Sequence, residues 1–486
     1  MFKNLFVKDQ WLGNVRGDIL SGMTVALALI PEAISFAIIC GVNPMVGLYA
    51  SFSIAVIISI FGGRPGMISA ATGAMALVMV SLVRDHGVEF MFAATVLTGI
   101  IQFILGKFKL GTLISFVPHS VVLGFVNSLA VLIFMAQIPH FQGETWVMFA
   151  LVLGTLAIVY GLPRLTKVVP SPLVAIVFMT IVSVGLKLNV RTVGDMGTIT
   201  RAFPVFHIAN VPFTIETLKI ILPYAVTLSI VGLLESLLTA TIVDEMTETK
   251  GEMNREVTGQ GIANVVAGFF GGMAGCAMIG QSVINIKSGG RKRLSTMVSG
   301  LFLLFLIIVL GDVVAMIPMA ALVGVMIMVA ISTFEWDSIP QMTKLNLSCN
   351  LEMLATMVIV ILTHNLALGV LAGIAISAVH FAWKIAGIQS KVHMTQLHDV
   401  DYKVYRITGQ LFFASTSRFV DYFNVASDPG HVIIDFKNAH IWDHSGVAAL
   451  ARVKERYARV GKVIHVVGLN KDSSNVVLKL HDDMTS

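Results

Sequence analysis

At 486 residues, 56% of them hydrophobic and only 13% charged, with a mean hydropathy of +0.84, the chain lies outside the usage of soluble globular domains and reads as a membrane protein. Its net charge of +5 bears on loop topology, because no basic cluster is interleaved with aromatic residues and nucleic acid is excluded as a partner. Only Cys40, Cys276 and Cys349 are present, which excludes a disulfide framework or a zinc cluster and leaves cysteine as a packing residue.

The amphipathic start, with Lys3, Lys8, Trp11 and Arg16, leads into a full-length apolar span without a small-residue cleavage site. Residues 1–17 are therefore expected to be a cytoplasmic, interfacial lead-in and not a signal peptide. Windows of roughly 20 apolar residues place spans near 18–41, 45–62, 69–83, 90–106, 112–138, 146–162 and 170–187. A second set follows near 217–243, 255–271, 278–288, 294–310, 314–332, 351–364 and 366–386. With the N-terminus inside, about 17 Lys and Arg fall in cytoplasmic connections, among them Lys107, Lys109, Arg164, Lys167, Lys287, Arg291, Lys292 and Arg293, against about 5 outside. That bias predicts an even number of spans and two cytoplasmic termini. Seven spans in each half give the halves opposite topology, an inverted repeat.

Two spans are short and begin among small residues, Ser69-Ala70-Ala71-Thr72-Gly73 and Gly275-Cys276-Ala277-Met278-Ile279. Interrupted spans at matching points of two halves are how a secondary transporter builds a midplane ion site. A helix that begins at mid-membrane presents unpaired amides and partial positive charge, so it can hold an anion with no Lys or Arg. Ala70, Ala71, Thr72, Gly73 and Ala74 allow close backbone approach, with the Thr72 hydroxyl as a donor. Gly275, Cys276 and Ala277 offer the same opposite, and Met278 and Ile279 narrow the pocket. Ordinary small-residue helix packing is the competing explanation.

An acidic residue sits in the first span of each half, Glu32 and Glu235, and the interrupted spans follow about 40 and 44 positions later, at Thr72 and Ile279. Intramembrane carboxylates are costly and usually line a cavity, where they relay protons or coordinate a cation. Glu32 follows Pro31 and can also satisfy amides freed by that proline. Glu235, near Ser236, Thr239 and Thr241, can also make an interhelical hydrogen bond. His364 and His380 lack metal-ligand spacing, the methionines are packing residues, and Gly259-Gln260-Gly261 follows no strand and is no dinucleotide loop.

The run Ala28-Leu29-Ile30-Pro31-Glu32-Ala33-Ile34-Ser35-Phe36-Ala37, continuing through Gly41-Val42-Asn43-Pro44 to Gly47-Leu48-Tyr49-Ala50-Ser51, resembles the first-span signature of the SulP anion permeases, a family of sulfate, bicarbonate and related anion transporters. Thr258-Gly259-Gln260-Gly261-Ile262-Ala263-Asn264 through Gly268-Phe269-Phe270-Gly271-Gly272, then Val283-Ile284-Asn285-Ile286-Lys287-Ser288-Gly289-Gly290-Arg291, resembles its second-half motif. The resemblance implies fourteen spans, a core domain carrying substrate against a gate domain, and a homodimer. It implies a substrate held between the third and tenth spans with help from the first, at Phe36, Thr72, Gly73, Ala74, Ala277, Met278, Ile279 and Gln281. Gln281 stands where many members have Arg, so the helix ends must supply the electrostatics, a departure that leans toward bicarbonate. Glu235 matches the acidic residue the family uses for cation coupling, and Thr239 one turn later can help hold Na⁺. Ile279 stands where some sodium-coupled bicarbonate carriers have Thr, a loss that proton coupling survives.

From 391 the chain reads as a small soluble α/β domain, with strands at Tyr402-Lys403-Val404-Tyr405-Arg406-Ile407, 432–436 and 463–467 and helices near 415–424, 446–460 and 473–481 against one face of a sheet. It resembles the STAS domain of SulP proteins, related to anti-sigma-factor antagonists in which the Ser of Asp-x-Ser-Gly, here Ser445, is phosphorylated. Asp443 or Ser445 capping the next helix accounts for the same residues. The expectation is thus a lead-in at 1–17, a transport domain at 18–390 and a cytoplasmic STAS domain at 391–486, open to a cytoplasmic partner. The whole would be a dimeric inner-membrane, cation-coupled transporter of sulfate or bicarbonate working by alternating access with Na⁺ or H⁺, and not an enzyme. A channel-like or motor-like protein, a dicarboxylate transporter and a receptor-like scaffold are the other readings.

Overall fold

The computed structural model describes residues 7–109, 111, 117–165, 170–344, 346–397 and 400–484. Lys3, Lys167 and the first residues of the span expected at 112–138 lie outside the described residues. The chain divides into two compact units, Met1–Ile374 and Ala375–Ser486.

In the first unit a short α1 (Lys8–Leu12) precedes α2 (Val15–Cys40), and α3 (Pro44–Phe61) follows a tight turn in which the Asn43 side chain accepts from the Met45 amide and Pro44 takes the first helical position. Pro31 sits inside α2, where the buried Ser35 hydroxyl donates to its carbonyl at 2.7 Å. The chain then forms β1 (Ser69–Ala71) and α4 (Gly73–His86), followed by α5 (Val88–Lys107), α6 (His119–Met135), α7 (Trp146–Gly161), α8 (Ser171–Gly185) and the single turn α9 (Val193–Met196). The order then recurs: α10 (Ile215–Thr247), α11 (Met253–Phe269), β2 (Gly275–Ala277), α12 (Ile279–Lys287), α13 (Arg293–Ala315), α14 (Met319–Thr333), short α15 (Ser338–Met342), α16 (Leu347–Thr363) and α17 (Leu366–Ile385). Among the described residues nine helices are long and apolar enough to cross a membrane, and α8 and α16 are shorter apolar helices.

The expected span at 69–83 begins as a strand and turns helical only at Gly73, and the one expected at 278–288 is preceded by β2. The two strands pair antiparallel, Ser69 opposite Ala277, Ala70 opposite Cys276 and Ala71 opposite Gly275. Neither strand was foreseen, because three small residues carry no alternation; the reason for them is tertiary. Backbone that leaves a helix in the interior must find partners within the protein, and each break meets the other. Gly275 is needed there, since a Cβ on it would lie 2.1 Å from the Ala70 carbonyl oxygen.

Charged side chains near the helix ends serve as caps. The buried Arg293 guanidinium donates to the Ser59 and Gly62 carbonyls at 3.0 and 2.8 Å at the end of α3. Asp18, fully buried on α2, accepts from the Arg291 amide at 2.8 Å just before α13. Apolar residues of α2, α3, α4, α6, α13 and α14 fill one continuous core.

In the second unit, β3 (Gln389–Leu397), β4 (Val400–Leu411), β5 (His431–Ile441) and β6 (Val463–Val467) form a sheet in that order, antiparallel between the first two and parallel thereafter. Three of these were expected; β3 was not. The helices are α18 (Thr416–Asp421), α19 (His444–Ala458) and α20 (Lys471–Met484). Alternate strand residues Tyr405, Ile407, Val432, Ile434 and Phe436 build one core with Phe419, Leu450 and Val453. The opposite alternates Tyr402, His431 and His465 bring their rings together on the other face.

Asp428 anchors that core. It accepts from Lys403 Nζ at 2.6 Å, from the Tyr405 hydroxyl at 2.7 Å and from the Tyr457 hydroxyl. Burial pushes its carboxyl up, but these hydrogen bonds and the Lys403 charge outweigh it and hold the group below its ordinary value of 3.8. Stability from this pair is therefore present above the ordinary carboxylate range and lost as pH falls through and below it. Asp428→Ala strands two hydroxyls and an ammonium and should lower the stability of this unit by about 3–5 kcal/mol. Circular dichroism melts should show that gap at pH 7 and see it narrow at pH 3; an equal gap at both would refute the assignment.

Candidate functional site

Two half-helices start where β1 and β2 cross. Thr72 is the N-cap of α4: its carbonyl accepts from the Ala76 amide at 2.9 Å and its hydroxyl from the Met75 amide at 3.5 Å. Met278 precedes α12 and offers no side-chain cap. By helix geometry the first amides of both helices have no intrahelical acceptor, and each end carries partial positive charge.

A cavity of about 220 Å³ lies at these ends. Drug-sized ligand pockets run from roughly 300 to 1,000 Å³, so this one suits a small ion with little water. Helix α2 contributes Ala28, Glu32 and Phe36, the start of α4 Thr72, Gly73 and Ala74, α10 Glu235 and Leu238, and the start of α12 Met278, Ile279, Gly280 and Gln281. Phe125, Leu129 and Ile133 of α6 and Val325, Met328 and Val329 of α14 form the apolar wall. No Lys, Arg or His is among the described lining residues.

The polar groups pair across elements. Gln281 Nε2 donates to Glu32 Oε1 at 2.8 Å, tying α12 to α2, while the buried Gln281 Oε1 has no partner. Cys276 Sγ lies 3.0 Å from Glu235 Oε2, to which it donates, and 3.1 Å from Thr72 Oγ1. A thiol thus links the α4 cap to the carboxylate on α10, a role hidden when cysteine is read as packing. Of the sequence-derived residues, Phe36, Thr72, Gly73, Ala74, Met278, Ile279, Gln281, Glu32 and Glu235 come together around one cavity. Ala277 and Thr239 do not line it. The Ala277 amide donates to the Ser236 hydroxyl at 3.0 Å, and the Thr239 hydroxyl is spent on the Glu235 backbone carbonyl at 2.7 Å. Ser445 lies in the first turn of α19, where Asp443 is the N-cap and accepts from the Gly446 amide at 2.9 Å. Beyond Cys276, sequence reasoning missed the wall from α6 and α14, whose residues differ in no visible way from other apolar ones.

A second cavity, about 1020 Å³, borders the same α2, α4, α6 and α10 further along, at Ile38 and Ile39 instead of Glu32 and Phe36. Arg84, His140 and His364 line it, with Ser81 and Tyr224 hydrogen-bonded at 3.2 Å.

The Sulfate permease family matches residues 15–150 and 142–359, and the STAS domain matches residues 391–480. YbaR of Bacillus subtilis (strain 168), whose name assigns it provisionally to sulfate transport, is 56% identical over 480 residues, covering 99% of this chain and 100% of that protein. The solved transmembrane domain of a cyanobacterium bicarbonate transporter, BicA, is 28% identical with a TM-score of 0.68, covering 74% of this chain and 97% of that one. The murine Slc26a9 anion transporter in its inward-facing state superposes with a TM-score of 0.82 over 97% of this chain and 88% of its own at 18% identity, a likeness of fold alone.

Thr72→Val keeps the shape of the cap and removes its hydroxyl. It should raise the KM for transported anion about three- to tenfold, the worth of one hydrogen bond, with a smaller change in maximal rate. Initial-rate uptake against anion concentration measures this, and an unchanged KM would put the anion elsewhere.

Proposed function

The chain belongs to the sulfate permease family and carries a STAS domain, and we propose that it is a secondary active transporter of sulfate or bicarbonate, driven by a coupled cation. The observation that carries this reading is the cavity itself: two helix N-termini and two carboxylates around a volume fit for a small anion. The helix ends favour an anion, while Glu32 and Glu235 oppose it. Charges about 5 Å apart repel by roughly 3 kcal/mol at an effective dielectric near 20. An anion therefore enters readily only when a cation accompanies it, which is coupling.

The cation in this reading is a proton. A sodium ion needs several oxygen ligands, whereas Glu235 has a thiol as its neighbour, the Thr239 hydroxyl is committed to a backbone carbonyl, and Ile279 supplies no oxygen. Two cavities on the same four helices support alternating access, with α2, α4, α10 and α12 moving as a core against a gate that includes α6 and α14. Fourteen spans in two inverted sevens, a homodimer in the cell membrane and two cytoplasmic termini complete the proposal.

Counterflow and gradient-driven uptake in proteoliposomes, with labelled sulfate, bicarbonate and fumarate, test it. Accumulation of sulfate or bicarbonate should follow a pH gradient and ignore a Na⁺ gradient; flux indifferent to both would indicate a channel. Glu235→Gln should abolish accumulation while leaving the protein folded and counterflow measurable. Normal accumulation by that variant would make Glu235 structural.

Every lining residue of the cavity lies between Ala28 and Thr333, so the C-terminal unit is assigned regulation and assembly. Deleting 392–486 should lower expression or maximal rate and leave anion preference unchanged. A tenfold shift in KM, about 1.4 kcal/mol, would overturn that division of labour.

A further inference from the structure

Helix α11 carries three buried polar side chains one turn apart, Glu256, Gln260 and Asn264, at most 1% exposed. Each reaches a different piece of chain that leads into a half-helix. Glu256 Oε2 accepts from the Gly63 and Arg64 amides at 2.7 and 3.0 Å, in the turn before β1. Gln260 Nε2 donates to the Ser69 hydroxyl, the first residue of β1, at 2.6 Å, and to Glu256 Oε1 at 3.0 Å. Asn264 grips Gly275, the first residue of β2, from both sides: its Oδ1 accepts from the amide at 2.9 Å and its Nδ2 donates to the carbonyl at 3.0 Å.

We propose that this stripe is a positioning element that sets the separation of the α4 and α12 N-termini, and so the fit of the anion between them; the proposal rests on the cavity being the transport site. The helix is itself held fixed. A Cβ on Gly261 would lie 2.4 Å from the Phe103 amide nitrogen of α5, so α11 cannot slide without opening that contact. The two halves are not equivalent in this respect. Helix α3 precedes β1 as α11 precedes β2, yet its side-chain contribution to β1 is the Ser51 hydroxyl, 3.3 Å from the Ala71 amide. One helix thus aims both half-helices. Stability alone does not explain the stripe, because Gln260 Oε1 and Gln102 Nε2, the latter on the amide that bonds Asn264 through its oxygen at 2.8 Å, remain buried without partners. An apolar stripe would avoid that desolvation cost.

The test uses the full-length protein in proteoliposomes, with labelled sulfate and labelled bicarbonate as probes and rates normalised to folded protein. Asn264→Ala should raise KM at least tenfold and change the sulfate-to-bicarbonate preference. Gln260→Met keeps the side-chain volume and should raise KM about threefold, one hydrogen bond's worth. Combining Asn264→Ala with Thr72→Val should give less than the product of the two single effects, since a displaced helix end no longer uses its cap. If Thr72→Val raises KM but Gln260→Met and Asn264→Ala change only yield or maximal rate, the stripe is structural and the proposal falls. An unaltered KM in Gln260→Met decides against it even if Asn264→Ala does not fold. If Thr72→Val also leaves KM unaltered, the cavity assignment fails first.

Discussion

Backbone amides and carbonyls in a protein surrounded by hydrocarbon have no water to turn to, and the structure is organised around the two places where a helix is interrupted. Each unsatisfied group there costs several kcal/mol. The chain meets this by making both breaks at the same spot: β1 and β2 pair across three residues, and Asn264 and Ser236 take up Gly275 and Ala277 from the side. Once the strands pair, two helices must begin next to each other with their first amides uncovered. The cavity follows from the repair of the backbone.

Holding that crossing requires a frame with little freedom. Helices α5, α3 and α11 approach through glycine, and the ends of α3 and α13 are closed by Arg293 and Asp18, buried side chains that spend their charge on backbone groups. Packing of this kind is specific without a hydrophobic driving force between helices. It also explains why polar residues inside this unit point inward: Glu256, Gln260 and Asn264 occupy one face of α11 and serve the chain entering the half-helices.

The cavity has an internal conflict of charge. The partial positive ends of α4 and α12 are shared among whatever negative groups stand near them, and those include Glu32 and Glu235 as well as an anion. Gln281 offers Glu32 a neutral amide and Cys276 offers Glu235 a neutral thiol. With no lysine or arginine lining the space, the balance between side-chain carboxylate and bound anion turns on whether a cation is present.

Much of this was written in the chain. Apolar windows located the long helices, because length and hydropathy are local properties. Glu32 and Glu235 stood out because carboxylates in apolar runs are rare, and Thr72 and Gly73 because small residues marked a break. The family resemblance added Phe36, Met278 and Gln281. Other features lay beyond local pattern. Three-residue strands have no periodicity, β3 lacks clean alternation, and nothing about Ile133 or Val325 distinguishes a cavity wall from a lipid-facing surface. Thr239 is spaced as a neighbour of Glu235, yet its hydroxyl turns to the backbone. Cys276 gains its place only because β2 sets it between Thr72 and Glu235. The sequence by itself determined which segments are buried in lipid, where they break and which residues carry charge, since these depend on composition along the chain. The tertiary structure alone decided which atoms face one another, because pairing two breaks some 200 residues apart depends on how every helix between them packs.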